Sequence, residues 1–349
     1  MSLVQEVKAL RSAVGLSRPT HVTMVQVAGV DALEFLQGVC AQTPYLRVGR
    51  VRSTLLLRDD GEVFADVLVV NMGDWLFVLA EGPDERELLD WLEDLRHRAP
   101  KKQVSIRSMA DEWVLFGVDG PYAWELVVAL LGRAILGMPY LSLLARDETL
   151  CIRAGKTGEY GYLLAVPRSA EDATWNALVD LGAPLDAVRV GLEALDVCAL
   201  ESWHFSMRTL RSTALVPRLT PLELQLQWRV AYAREFIGAA ALRARKSEGA
   251  RARVTCFVAG GPVAPGDSVR LGDVEVGEVL ASVSSPTVGA VIGSVLLSTR
   301  FAHPHLDLVA RTATGDVPLR TCCAYLVENL SLHVHPHLGH TYATRGELR

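Results

Sequence analysis

Two stretches of this 349-residue chain read as one unit written twice, and that echo constrains the fold more than any single motif. D-W-L-F-V-L-A-E-G-P-D-E-R-E-L-L-D-W-L-E-D-L runs from Asp74 to Leu95, and E-Y-G-Y-L-L-A-V-P-R-S-A-E-D-A-T-W-N-A-L-V-D-L from Glu159 to Leu181. Each is an apolar strand with an aromatic near its start, a small polar turn, and a helix carrying a tryptophan, Trp91 or Trp175. Any two strand–turn–helix units share that outline. A true repeat predicts a core of two similar α+β halves in place of a doubly wound parallel sheet.

The rest of the chain supplies matching pieces. Leu3 to Val14 has helical apolar spacing, Val22 to Val27 alternates like a strand, and Ala32 to Val39 reads as a short helix with Asp31 as its N-cap. Leu55 to Leu57, the turn Asp59-Asp60-Gly61 and Val63 to Val70 form a hairpin signal. Trp75 to Ala80 reads as a strand leading into a helix from Glu85 to His97. Trp113 to Val118 is a further strand, after which Gly120-Pro121 opens a helix from Tyr122 to Leu131. Val188 to Leu200 has helical spacing, Pro217 and Pro221 mark a loop, and Gly238 to Arg245 is a basic helix. From Val254 onward short β-rich runs alternate with Gly and Pro, which predicts a small antiparallel barrel beginning near residues 246–253.

One turn carries the sharpest chemical pattern. Arg153, Thr157, Gly158 and Glu159 lie in the glycine-punctuated R-A-G-K-T-G-E-Y-G-Y, just before the strand Tyr160 to Val166. A carboxylate held there is placed to accept two parallel N–H bonds from a flat, nitrogen-rich ring. The plainer reading is a hairpin with a solvated acid.

Composition narrows the function classes. The net charge of −5 gives no electrostatic reason for a nucleic-acid partner, and the basic spots at Lys101-Lys102 and Arg243 to Arg253 read as solvated faces. No apolar run approaches the roughly 20 residues that span a bilayer. The six cysteines are scattered without C-x-x-C spacing, so a reducing cytoplasm is expected. No G-x-S-x-G elbow points to a hydrolase, and no G-x-G-x-x-G follows a first strand. In the tail H-V-H-P-H-L-G-H, His333 and His335 share a strand face, but Pro336 breaks the pattern toward His337 and His340. An exposed or interface-lining tail is expected there, with no metal; His303 and His305, around Pro304, read as a turn.

Taken in order, these pieces resemble the superfamily of the glycine-cleavage T-protein, the folate-dependent aminomethyltransferases. The resemblance runs from V-Q-V-A-G-V-D-A-L-E-F-L-Q-G (Val25 to Gly38) through T-L-L-L-R-D-D-G-E-V-F-A-D, G-P-Y-A-W-E-L and R-A-G-K-T-G-E-Y-G-Y. It continues with G-L-E-A-L-D-V-C-A-L-E (Gly191 to Glu201), T-P-L-E-L-Q-L-Q-W (Thr220 to Trp228), F-I-G at Phe236 to Gly238 and S-S-P-T-V-G (Ser284 to Gly289).

The resemblance implies an α+β, three-domain cloverleaf with a C-terminal antiparallel β-barrel and tetrahydrofolate, or a methylated or methylene derivative, in the central hole. It divides the chain into 1–50 plus 148–245, 51–147 and 246–349. It implies that Glu159 binds the pterin edge, with Trp228, Glu201 and Arg153 as further cofactor contacts. The acid that works near the transferring atoms falls on Glu87, with Asp84 second, and His204 and Arg208 face the substrate.

The departures are equally specific. The asparagines of N-A-x-N are missing, Ala199 replaces an arginine, Trp203 a glycine and Lys156 the tyrosine of G-Y-T-G-E. The chain reads W-H-F-S-M-R-T-L where the iron–sulphur repair branch carries K-G-C-Y-x-G-Q-E. The expectation is therefore a one-carbon transferase acting on a small molecule in a specialised or biosynthetic pathway, with no sign of a carrier-protein partner. The alternative is a scaffold that has lost folate and holds another small molecule in the same cavity.

Overall fold

The structure is a computed structural model and describes residues 1–99, 103–210 and 219–347; Lys101, Lys102 and Pro217 lie outside the described residues. Helix α1 (Leu3–Ser12) and the short strand β1 (Gly15–Ser17) lead into a first unit. That unit comprises β2 (Val22–Ala28), α2 (Ala32–Val39), β3 (Val51–Leu57), β4 (Val63–Asn71), β5 (Trp75–Glu81), α3 (Glu85–Arg98) and β6 (Ser105–Ser108). The second comprises β7 (Trp113–Asp119), α4 (Ala123–Leu131), β8 (Leu143–Arg146), β9 (Thr149–Ile152), β10 (Gly161–Pro167), α5 (Glu171–Gly182) and β11 (Val188–Arg189).

The echo in the sequence is a repeat in space. The first sheet runs β3-β4-β5-β2-β6 and the second β8-β9-β10-β7-β1-β11, so the first four places correspond strand for strand. In the second sheet β1, from the N-terminus, lies antiparallel to β7 in the place that β6 takes beside β2.

Strand alternation builds the layers. Val25, Val27, Val67, Val69, Val78 and Ala80 turn to one face and pack under α2 and α3. Met24, Val70, Phe77 and Leu79 turn to the other face, where they meet Leu115, Leu150, Ile152 and Ala165 of the second sheet. Phe116, Val118, Tyr162 and Leu164 then pack under α4 and α5. The result is helix, sheet, sheet, helix, with the two sheets face to face.

Strand pairing shows which segments share a sheet. Val22–Ala28 pairs with Trp75–Glu81, and Trp113–Asp119 with Gly161–Pro167. The first sheet unit therefore spans about residues 22–108 and the second about 113–189 together with β1.

After the repeat come α6 (Leu192–Glu201), α7 (Met207–Leu210) and α8 (Ala239–Glu248). Six strands then close an antiparallel barrel: β12 (Ala252–Ala259), β13 (Ser268–Leu271), β14 (Val274–Ser285), β15 (Ala290–Ser298), β16 (Asp307–Thr312) and β17 (Gly315–Cys322). Pairing of β12 with both β15 and β17 leaves no edge exposed. Among the described residues no helix is long and apolar enough to cross a membrane.

Two local expectations change. Asp31 stands at the N-cap of α2 without capping it; its carboxylate accepts from the Gln103 amide at 2.7 Å and ties α2 to the approach of β6. The C-terminal tail is docked rather than free. Val334 and Tyr342 are buried in the core of the second unit, and the Tyr342 amide donates to the Glu125 carboxylate.

Candidate active site

A cavity of about 670 Å³ opens where the gap between the two sheets meets α6, α7 and the barrel. Its size is ordinary for a small-molecule site, for which roughly 300–1,000 Å³ is typical. The alternation that sends Val67 and Val69 toward the helices sends Asp66 and Leu68 into this gap, and likewise Leu79 and Glu81 of β5. From the second sheet come Asp119 and Leu163, and from the barrel Val254, Leu280, Ala281 and Ser294.

The floor is a four-membered charge cluster. Lys156, on the loop after β9, crosses from the second unit to the first and donates to Asp66 Oδ2 at 2.8 Å and Glu81 Oε2 at 2.6 Å. Arg229 donates to the other Asp66 oxygen, to Ser53 Oγ at 2.8 Å and to the Thr54 carbonyl at 2.9 Å. Burial opposes ionisation of Asp66, but Arg229 and Lys156 outweigh it and hold the carboxyl well below the usual carboxylate range. Burial likewise opposes the Lys156 ammonium, and Asp66 with Glu81 raises its pKa regardless. Asp66 and Lys156 thus stay charged through the neutral range, and the formal charges of the four residues cancel.

His204 sits at the cavity, its pKa pushed down to about 4 by burial and by the neighbouring Lys156, so its ring is neutral. Burial also lowers His21, against the pull of Glu81. Asp119 has the opposite shift. It is 7% exposed, its carboxylate has a single hydrogen bond among the described residues, from Thr157 Oγ1 at 3.3 Å, and burial raises its carboxyl to about 7.

The expected site residues separate into two groups. Trp228, His204 and Arg208 line the cavity, with Trp228 71% exposed at its rim and Arg208 paired with Asp196. The others lie elsewhere. Glu87 is on the outer helix α3, bonded to Arg58 at 3.2 Å, and Asp84 caps that helix by accepting from the Glu87 amide at 2.8 Å. Neither lines the cavity.

Glu159 accepts two parallel N–H bonds as its turn geometry suggests, but the donors are the chain's own Leu330 and Ser331 amides, at 3.1 and 2.8 Å. Arg11 completes its shell at 3.5 Å, and the same guanidinium binds Glu201, which also accepts from Ser285 at 2.6 Å. Arg153 donates to the Met138 carbonyl and lies over the Tyr160 ring. These two acids and two arginines make their contacts within the protein rather than at the cavity.

Asp66, Glu81, Arg229 and Asp119 were not singled out from the sequence. Asp66 had a signal: it is the lone acid inside the apolar run V-F-A-D-V-L-V-V, where an unpaired charge would be costly. Asp119 had one too, as the acid closing V-L-F-G-V-D before a glycine turn.

Two facing sheets, a cavity of small-molecule size and a buried, ion-paired carboxylate at its floor define a small-molecule site on a repeated α+β core. The family profile described as GCVT N-terminal domain matches residues 1–234, and the chain belongs to that family, the folate-dependent aminomethyltransferases. It is similar to the aminomethyltransferase of Chloroherpeton thalassium, 29% identical over 310 residues, covering 86% of this chain and 83% of the relative. The aminomethyltransferase of Corynebacterium aurimucosum is 28% identical over 309 residues, covering 85% and 82%. The crystal structure of the glycine cleavage system aminomethyltransferase T from Bartonella henselae superposes with a TM-score of 0.82 at 19% identity, over 94% of this chain and 90% of that one. That likeness concerns the fold.

Proposed function

We propose that the chain transfers a one-carbon unit between tetrahydrofolate and a small molecule, in a specialised or biosynthetic pathway distinct from glycine cleavage. The carrying observation is the cavity itself: apolar walls from both sheets, a charged floor that stays ionised, and an aromatic rim.

The residues present fit a folate. Leu79 and Leu163 offer apolar faces from opposite sheets to a flat ring, and Asp119 has unsatisfied acceptor capacity. Trp228 at the rim offers a stacking face to the aryl portion of a ligand. Bound tetrahydrofolate supplies the nitrogen that accepts or releases the one-carbon unit. Asp66 is the residue we assign beside the transferring atom. Its carboxylate, fixed by Arg229 and Lys156, stabilises positive charge that develops there without needing to reorient. It is a weak base at neutral pH, so proton movement falls to the Lys156 ammonium or the neutral His204 ring.

The replacement of a family tyrosine by Lys156 supports a substrate outside glycine cleavage, because it puts a permanent cation where a neutral phenol stood. The alternative, a cavity that has lost folate for another small molecule, is favoured by one observation: Glu159 is committed to the tail.

The test is titration of tetrahydrofolate and its 5-methyl and 5,10-methylene forms against the folded protein, followed by tryptophan fluorescence. Saturable binding supports the folate reading, and a screen of O-, N- and S-methyl donors then defines the substrate. No binding of any folate overturns it in favour of the alternative.

A further inference from the structure

Four acids line the cavity, and three are spoken for. Asp66 is paired with Arg229 and Lys156, Glu81 with Lys156, and Asp196 with Arg208. Among the described residues, Asp119 has no ion-pair partner and a single long hydrogen bond, from Thr157 Oγ1 at 3.3 Å. An ionised carboxylate offers about four acceptor sites, and leaving them empty in a buried wall is costly. A group kept at such cost invites a ligand that fills it.

The surroundings say what kind. Asp119 ends β7 opposite Gly161 of β10, and on the same sheet face, one rung along, Leu163 stands opposite Gly117. A Cβ on either Gly155 or Gly161 would lie 2.9 Å from Asp119 Oδ1, so only glycine leaves the carboxyl its place. Leu79 faces this wall from the other sheet, and facing sheets lie about 10 Å apart. The slot so formed is flat, apolar on both broad faces, and acidic at one edge. It suits a planar heterocycle whose edge presents adjacent N–H donors.

We propose that Asp119 is the residue that recognises the ligand's ring: its carboxylate accepts paired N–H bonds from a planar, nitrogen-rich edge. This rests on the folate reading, under which that edge belongs to the pterin. The site thereby recovers, from the end of β7, the bidentate acceptor that Glu159 gives to the tail.

Two consequences separate recognition from structure. A carboxyl whose folded pKa of about 7 lies above its unfolded value, about 3.9, binds its proton more tightly when folded. It therefore withdraws stability as pH rises from about 4 through 7. Asp119→Asn removes that withdrawal, so the variant melts at a higher temperature than wild type at pH 8; a structural Asp119 predicts a lower one. Paired N–H donors also require the ionised form, so folate affinity rises up to about tenfold per pH unit toward 7 and then levels. Burial pushes the Cys198 thiol on α6 up to about 12 and His204 down to about 4, so both stay neutral from pH 6 to 8.5, and burial also lowers His21.

The experiment measures tetrahydrofolate affinity from pH 6 to 8.5 for wild type and Asp119→Asn, with 4-aminobenzoylglutamate, which lacks the ring, as a second probe. We expect Asp119→Asn to weaken tetrahydrofolate at pH 8 by about tenfold or more, to flatten the pH slope, and to leave the ring-less probe unchanged. An unchanged affinity and slope in the variant overturns the proposal while the folate reading stands. A wild type without a pH slope does the same, whether or not the variant folds. A wild type that binds no folate overturns both.

Discussion

The two units share a turn as well as a topology, and they use it differently. β2 ends V-A-G-V-D-A-L and β7 ends V-D-G-P-Y-A-W, each passing through a glycine into a helix. Gly29 has φ +113° and Gly120 φ +132°, and a Cβ would meet the Gln103 carbonyl at 2.2 Å in one and the Ala13 carbonyl at 2.4 Å in the other. The backbone solution is the same. The residue before the glycine is not: Ala28 in the first unit, Asp119 in the second.

The sheets face each other in opposed directions, which explains the difference. The cavity is reached at the start of β2, where Val22 pairs with Glu81, but at the end of β7, where Asp119 pairs with Gly161. Corresponding residues therefore sit at opposite ends of the gap. A repeat builds a scaffold twice but a site once, and the chemistry gathers wherever one end is open to the third domain.

The largest expected effect comes from breaking the bond between the units. Asp66→Ala leaves Arg229 buried without its carboxylate and removes one of the two acids that hold Lys156, which should cost about 3–5 kcal/mol. The melting temperature falls and one-carbon transfer is lost. The pH dependence carries a sign. Because the folded pKa of Asp66 is depressed, its contribution is present above its unfolded value of about 3.9 and is lost as pH falls through the folded one. Acid titration of Asp66→Asn followed by circular dichroism should show a shallower loss of stability below pH 4 than wild type. An equally steep loss would place the acid sensitivity elsewhere.

The shared turn gives the next effect. Gly29→Ala and Gly120→Ala both force a side chain into positive φ against a carbonyl, and each should cost about 2–3 kcal/mol. Equal losses in thermal unfolding confirm one backbone device in both units. A much larger loss at Gly120 alone would mean that the cavity-side turn bears strain its counterpart does not.

Much of the scaffold was legible in the sequence because its signals are local. The repeat, the hairpin, the helix from Glu85 and the barrel all follow from alternation and turn chemistry within a few residues. The sheet membership of β2 was not, since it depends on pairing with β5 some fifty residues on. The site was half legible: Trp228, His204 and Arg208 reach the cavity, while Glu87 and Asp84, placed by the resemblance, lie on the outer helix α3. Glu159 is the instructive case. Its turn does shape a bidentate acceptor, but which donors reach it is decided by a tail 171 positions later, at Leu330, and no local pattern encodes that.

That tail is also where the two units differ most, and Glu159 tests it with the smallest effect. Val334 and Tyr342 add to the second unit's core, and the Tyr342 ring meets Tyr122 edge-on at 5.2 Å beside the start of α4. At the corresponding start of α2, Asp31 binds the Gln103 amide instead. Glu159→Gln keeps the shape but replaces two charge-assisted acceptor bonds with weaker ones and removes one of the two carboxylates paired with Arg11, at a cost of about 2 kcal/mol. Because the bonds anchor residues 330 and 331, the effect should be local, with faster proteolytic trimming of the tail. Folate titration should be unchanged, since the carboxylate does not line the cavity. Lost folate binding with an intact tail would return Glu159 to the ligand and leave the tail held by its buried side chains alone.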